Sequence, residues 1–336
     1  MGDDDPYRQY DERIISGAKD WLKQSAQTSG SPWALCVHPI AAHAPFRIPR
    51  EFLELYDPNS LPAPVCFGKQ ERPRHPSLDH LRAIVPHDEG FDLEQVQRVR
   101  AAYFATISYL DSLVGRLLAV LDESGERDNT LIVYTSDHGF SCGEHFLMGL
   151  FHLMEESLGV PLILAGPGVS AGGSVSTPVS HIDLVPTLLE ACGDGSPDAI
   201  RNTLTQSLWP LLQGVKDTRQ PVFAEYHGTG TISGGYVIRD GWLKLIYFVD
   251  QPLQLYDLST DSNEQHNLAN HTEYSPDMKR MIKYLFSIVD PVATDRRAKQ
   301  DQEALIHRHG GRQKVMHDRL GFSYSPPPGL NWKDMN

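Results

Sequence analysis

The sequence predicts an α/β fold, with a doubly wound sheet over residues 1–215 and a smaller α+β part with an antiparallel sheet over 216–336. Three observations carry that reading. Apolar positions keep a helical period from Leu93 to Leu121, and the continuous run TLIVYT follows at 130–135. A long helix feeding a strand buried on both faces has this pattern. A second apolar run, Val160–Ala165, ends in Gly-Pro-Gly. Beyond Gly214 the texture changes to short runs separated by turn residues, which reads as an antiparallel sheet.

The elements follow in order. Residues 11–26 place Ile14, Ile15, Ala18, Trp21 and Leu22 on one stripe, predicting an amphipathic helix. Trp33–Val37 reads as a short buried strand that delivers residues 38–46 to a loop at its carboxyl end. The Pro-rich stretch 57–89 reads as a long surface loop. The 93–121 helix stops at Ser124 and Gly125, and the strand 130–135 emits Ser136, Asp137, His138 and Gly139. Open α/β sheets place ligand chemistry at such strand ends. His181–Cys192 is the next helix, with Asp183 as N-cap and Pro186 in its first turn. Strands are expected at 222–226, 236–239, 244–248 and 255–258, and helices at 278–289 and 295–309.

The chain has 336 residues with 30 basic and 43 acidic side chains, a formal net charge of −13. Such an acidic chain is not a basic nucleic-acid binder. The 40% of hydrophobic residues, with 27 Gly and 24 Pro, indicates a folded globular protein rather than a low-complexity one. No apolar run approaches the roughly 18 residues of a membrane span, so no membrane partner is expected. Cys36, Cys66, Cys142 and Cys192 form no CxxC pair, which favours a reducing compartment. The first residues are acidic and lead into no apolar core of a signal peptide. A cytoplasmic location is the expectation. An anionic substrate would need a local cation.

Asp137 and His138 stand side by side at a strand end, followed by a glycine that permits a sharp turn. A carboxylate and an imidazole there can coordinate a divalent cation; by spacing alone, a turn with a capping Asp is the commoner explanation of the trio. His43, in HPIAAHAPF, lies at another expected strand end, and a solvated loop histidine is the alternative. Glu144 and His145 read as loop-shaping residues, Glu155 and Glu156 as caps of the next element or groups that bind its backbone, and His227 as a turn histidine.

The run SDHGFSCGEHFLMGLFHLMEESLGVPLILAGPG from Ser136 resembles the sulfatase family of the alkaline phosphatase superfamily. PWALCVHPIAAHAPFRIP, HIDLVPTLLEACG, SLWPLLQG and LYDLSTDSNEQHNLA match further family segments in order. EYHGTG, IRDGWLKLIYF, ALIHRHGGRQKV and YSPPPG resemble the choline-sulfatase-like members. The likeness spans residues 7–330. It implies an alkaline-phosphatase-like sheet and Asp137 and His138 as two ligands of one divalent metal, Ca before Mn or Zn. It also implies His43 as an active-site residue contacting the sulfate or the leaving group. The substrate implied is a small anionic ester. The Pro-rich tail at 324–329 implies a homo-oligomer contact.

Two departures accompany the resemblance. The family's nucleophile matures from CxPxR or SxPxR, and none of the four cysteines is followed by xPxR. The family's two further acidic metal ligands lie on an N-terminal strand, and Asp3–Asp5, with no apolar strand before them, read as a solvated or helix-capping run. The chain is therefore expected to begin near the family's middle, with strand 130–135 closer to a sheet edge. In addition, the family's active-site Lys falls on Leu150, and the basic residue before VPL is Gly159. Three readings follow: an incomplete sulfuric ester hydrolase, a non-catalytic sulfatase-like binding or scaffold protein, and a phosphonate or phosphate monoester hydrolase.

Overall fold

The computed structural model describes residues 5–28, 30–84, 92–193, 204–215 and 219–317. The chain divides into two compact units, the first comprising 1–63, 90–130 and 319–336, the second 64–89 and 131–318.

Two helices organise the first unit. Pro6–Thr28 starts where Asp5 Oδ1 accepts the Tyr7 and Arg8 amides at 3.0 and 3.3 Å, so the end of the acidic run caps this helix. Leu93–Ser124 opens on a capping box between Asp92 and Gln95 and closes on Gly125 in the left-handed conformation, φ 76°. The two helices pack together, and Ile15 joins Ala105, Tyr109 and Leu113 in a core sealed by Ile48. Arg116 clamps Glu12 through two hydrogen bonds of 2.9 and 2.8 Å. By length and composition Leu93–Ser124 could also cross a membrane. Its packed face holds Arg100, Thr106 and Tyr109, which suits the core helix of a unit. Trp33–Val37 forms no strand. Its residues alternate between half-buried and exposed, and Trp33 packs edge-on against Trp21 at 5.4 Å. Alternate burial leaves one row of side chains to pack, so the segment lies on the helix as extended chain.

The second unit holds every strand among the described residues. We number them β1 (Ile132–Thr135), β2 (Ser141–Cys142), β3 (Met148–Gly149), β4 (Leu162–Ala165), β5 (Val222–Tyr226), β6 (Gly235–Asp240), β7 (Leu243–Phe248) and β8 (Gln254–Asp257). The four-stranded sheet β5-β6-β7-β8 is antiparallel throughout and carries the unit's core on both faces. Val237, Ile246, Phe248 and Tyr256 pack on Leu153 and Met154. The opposite face, Tyr236, Ile238, Leu245 and Leu255, packs on Met281 and Leu285 of the helix Ser275–Ile288. The helix Pro291–Arg308 follows, capped by Asp290. Residues 324–329 lie outside the described residues.

The expectation of a strand at 130–135 buried on both faces is corrected, since Ile132–Tyr134 are half-buried and Thr135 is exposed. β1 pairs antiparallel with β4, Ile132 opposite Ala165 and Thr135 opposite Leu162, and this is its only ladder among the described residues. A parallel partner needs a crossover of a dozen or more residues, usually a helix. The 136–161 connection instead folds into the β2-β3 hairpin and the four-residue helix Glu155–Leu158, which return the chain alongside itself. The apolar runs are only half covered, and Ile163 is 59% exposed.

Candidate functional site

The turn after β1 is locked by its own side chains. Ser136 Oγ donates to the His138 carbonyl at 2.9 Å, and the His138 amide donates to Asp137 Oδ1 at 3.0 Å. His138 Nδ1 lies 2.8 Å from the Gly139 carbonyl. A carbonyl only accepts, so Nδ1 carries the proton and Nε2 keeps its lone pair. Nε2 lies 3.5 Å from Asp137 Oδ2. Both groups reach solvent, with side-chain exposures of 38% for His138 and 85% for Asp137. His181 Nε2 meets Thr135 Oγ1 at 3.2 Å, at the same strand end.

Gly139 is required for close approach. Its amide donates to the Ser157 carbonyl at 2.8 Å, and a Cβ there would lie 2.1 Å from the Glu156 carbonyl oxygen and 2.8 Å from that of Gly159. The Glu155–Leu158 helix therefore sets where the Asp-His turn sits. That helix is in turn held by the four-stranded sheet. Lys244 of β7, fully buried, reaches Glu155 at 2.7 Å and Glu264 at 2.8 Å. Glu264 Oε2 accepts the Glu155 amide at 2.6 Å. Burial pushes the Glu264 carboxyl up, against the pull of Lys244.

A second buried polar group lies below the turn. His145 has no exposed surface, and His145 and Phe146 both adopt positive φ, 54° and 56°. Two successive non-glycine residues in this region are strained. His145 Nε2 lies 3.4 Å from Glu156 Oε1. Burial works against the charge on Glu156, and the His145 contact nevertheless holds its carboxyl below the usual range. His152 Nε2 meets Ser141 Oγ at 2.9 Å, and burial pushes its pKa down to about 3. The Glu155 carboxylate pairs with the buried Lys244, and that of Glu156 faces the His145 imidazole and accepts from its own backbone amide, the backbone contact expected of it. Asp183 is not the side-chain N-cap of Leu184–Ala191. Its carboxylate accepts the Ser180 and Gln206 amides at 2.9 and 2.8 Å and pairs with Arg219 at 3.3 Å.

His43 lies in the first unit. Its amide closes a turn on the Ile40 carbonyl at 2.9 Å, and its Nδ1 contacts the Ala44 carbonyl. The exposed ring sits on a loop anchored by Asp11, whose Oδ1 accepts the Ile40 amide at 2.7 Å. Burial pushes Asp11 up to about 6. Asp11 was missed from sequence because an acid on a helix face reads as solvated; its one signal was its place in the apolar stripe four residues before Ile15. His227 directly follows the last residue of β5 and contacts Glu225 at 3.4 Å.

Leu150 and Gly159 carry no cation. The Leu150 carbonyl accepts Ser157 Oγ at 2.6 Å, and a Cβ at Gly159 would lie 2.7 Å from the Glu155 carbonyl oxygen. A divalent metal fits the turn as far as the turn goes. Oδ2 of Asp137 and Nε2 of His138 are neighbouring, accessible donors with the tautomer set for ligation. Among the described residues, however, no group of three or more His, Cys, Asp or Glu is arranged to hold an ion.

Residues 2–194 match the sulfatase family, and residues 143–290 match the C-terminal region of N-sulphoglucosamine sulphohydrolase. The chain belongs to the sulfatase family. Among its relatives, choline-sulfatase of Rhizobium meliloti is 35% identical over 269 residues, covering 78% of this chain and 52% of the relative. Arylsulfatase K of Danio rerio is 29% identical over 339 residues, covering 94% and 62%. The chain thus spans between half and two thirds of these relatives' length. Two solved phosphonate monoester hydrolases share the fold. That of Silicibacter pomeroyi has a TM-score of 0.69 at 24% identity, covering 96% of this chain and 64% of the other. That of Agrobacterium radiobacter has a TM-score of 0.66 at 24% identity, covering 82% and 60%. The alkaline-phosphatase-like fold expected from sequence is therefore the fold of this sulfatase-family chain.

Proposed function

We propose that this chain carries the metal-ligand part of a sulfuric ester hydrolase of choline-sulfatase-like type, acting on a small anionic ester. The observation that carries the reading is the Asp137–His138 pair, its imidazole tautomer set by the Gly139 carbonyl and its two free donor atoms 3.5 Å apart. A divalent cation, Ca before Mn or Zn, would be held by these two side chains with further ligands, and would supply positive charge against the non-bridging sulfate oxygens. Asp137 and His138 bind and orient; Gly139 and Ser157 keep the turn in place. His43, with Nδ1–H engaged by the Ala44 carbonyl, can donate a proton from Nε2 to a departing alkoxide oxygen as the imidazolium, reverting to the Nδ1–H tautomer. The nucleophile is not supplied by residues 1–336 in the CxPxR or SxPxR form. In this reading it comes from sequence beyond them or from a second polypeptide.

A second reading, a sulfatase-like binding protein without turnover, is favoured by Leu150 and Gly159. An apolar side chain cannot stabilise a sulfate oxygen, and losing one such contact costs on the order of a hundredfold in rate. The test is hydrolysis of choline sulfate and of the phenyl esters of sulfate, phosphate and methylphosphonate, with Ca or Mn, by the chain together with the sequence or polypeptide that supplies the nucleophile, and by the same assembly carrying Asp137→Asn. Metal-dependent sulfate-ester turnover that Asp137→Asn abolishes supports the hydrolase. Faster phosphate or phosphonate turnover moves the leaving-group assignment. Binding of the sulfate ester without turnover makes the second reading the right one.

A further inference from the structure

We infer that the second unit presents an assembly face, made of the free edge of β1, Ile163 of β4 and the outer stripe of the helix Leu184–Ala191, that takes a strand-bearing segment of the polypeptide supplying the nucleophile. The inference rests on the hydrolase reading in one respect, that such a polypeptide exists. The helix is inverted. Its packed side is polar: Thr187 Oγ1 donates to the Asp183 carbonyl at 2.6 Å and accepts the Leu208 amide at 2.7 Å, beside the buried Asp183 carboxylate and its partner Arg219. Its outward side is apolar. Ile182, Val185 and Leu188 recur three residues apart and are 43, 50 and 42% exposed, and the exposed Cys192 continues the stripe. A surface helix turns such a stripe toward a core, and here the residues beneath the helix are not that core. An apolar stripe held outward by buried polar bonds on the other side calls for a cover.

The β1-β4 pair is incomplete in the same way. Each strand has four residues and the sheet has two strands, whereas stable sheets have three or more strands or a packed face. Ile163 and Ala165 share one face with Tyr134 and Ile132 opposite them, and on that face Ile163 and Ala165 are both exposed. β1 forms a ladder with β4 alone among the described residues, which leaves its other edge for strand addition. His181 Nε2, 3.2 Å from Thr135 Oγ1, brings the start of the helical stripe to the carboxyl end of β1. The same end leads into the Asp137–His138 turn, so a strand added beside β1 delivers one of its own ends to the two donors.

The occupant follows from length and from what the site lacks. This chain covers 52% of the choline-sulfatase relative and 62% of the arylsulfatase K relative, so each carries a further stretch of polypeptide that residues 1–336 do not match. A second copy would bring the same edge without a CxPxR or SxPxR motif, and would cover the face without completing the site. A lone amphipathic helix would cover the stripe and leave β1 unpaired.

The test co-expresses the full chain with the part of Rhizobium meliloti choline-sulfatase that lies outside its match to this chain, and reads sedimentation and peptide-resolved hydrogen exchange against the chain alone. A one-to-one complex should form, with exchange slowed about tenfold or more at 132–135 and 182–192. Val185→Lys and Ile163→Lys should each weaken the complex about tenfold or more, and Val292→Lys, at an exposed position of Pro291–Arg308, should leave it unchanged. All three positions are exposed, so the urea midpoint of the chain alone should match the parent; if a lysine variant unfolds, Val185→Ser reads the same loss at smaller size. The proposal is overturned if no complex forms, if the protection falls elsewhere, if Val292→Lys acts as strongly as Val185→Lys, or if the chain alone is a dimer that Val185→Lys dissociates, which gives the face to a second copy. A protected complex that hydrolyses no ester keeps the face and removes the hydrolase reading. Turnover by an assembly indifferent to Val185→Lys and Ile163→Lys keeps that reading and removes the face.

Discussion

Acidification should loosen the second unit through His152. This imidazole is fully buried, with Nε2 on Ser141 Oγ and Nδ1 accepting the Met154 amide at 3.3 Å, and burial holds its pKa at about 3 against 6.5 when unfolded. Its folded pKa is depressed, so below pH 6.5 the unfolded chain takes up a proton that the folded one refuses. Stability is complete above pH 6.5 and falls as pH drops toward 3. One pH unit is worth about 1.4 kcal/mol, so lowering pH from 6.5 to 5 costs about 2 kcal/mol. Asp11 in the first unit works the other way. Its carboxyl is pushed up from 3.8 to about 6, so that unit gains stability as pH falls from 6 toward 4. Glu156, held below 4.5, loses its contribution only under more acidic conditions. The two units therefore respond oppositely, and hydrogen exchange resolved by peptide separates them. Peptides from β6 and β7 should lose protection between pH 7 and 5 after correction for intrinsic rates, and those from Leu93–Ser124 should not. In His152→Gln the β6-β7 loss should shrink by most of the 2 kcal/mol, although the variant is weaker at pH 7 by about 1–3 kcal/mol for the disturbed Ser141 and Met154 bonds. An unchanged pH dependence in His152→Gln would refute the assignment to this residue.

Two further substitutions test the scaffold beneath the Asp-His turn. Gly139→Ala drives a methyl into the Glu156 carbonyl oxygen, 2.1 Å away, and should cost upwards of about 1–3 kcal/mol in urea unfolding; calcium or manganese titration should show weaker binding than in the parent protein. Lys244→Met leaves the fully buried Glu264 without its cation and should cost about 3–5 kcal/mol, whereas Lys244→Met with Glu264→Gln should recover part of that loss in the same unfolding measurement.

How far the molecule could be read from its residues depended on the range of the interactions involved. Helices were legible because their signals are local: Asp92 and Gln95 cap Leu93–Ser124 from within one turn, and Gly125 closes it. The four C-terminal strands were legible for the same reason, since turn residues such as Asp240-Gly241 punctuate a period-two pattern. Direction of pairing was not legible. TLIVYT and VPLILA carry the apolar character of central parallel strands, but direction is decided by how the 136–161 connection folds, and that depends on Gly139 meeting Ser157. The Asp137–His138 turn was visible as a motif, while its support was not. Lys244, Glu155 and Glu264 are separated by up to about a hundred residues, and each reads as a surface charge in its own neighbourhood. The same holds for Asp11, which sits 29 residues before the amide it anchors. Motif reading thus found the solvent-facing Asp137–His138 pair and missed the groups that hold its turn, because holding is done by long-range burial of single charges. The C-terminal sheet, through Lys244 and the Glu155–Leu158 helix, determines where the Asp137 and His138 side chains stand. A change in the sheet should therefore reach the turn by way of Ser157 before it reaches it by any direct contact.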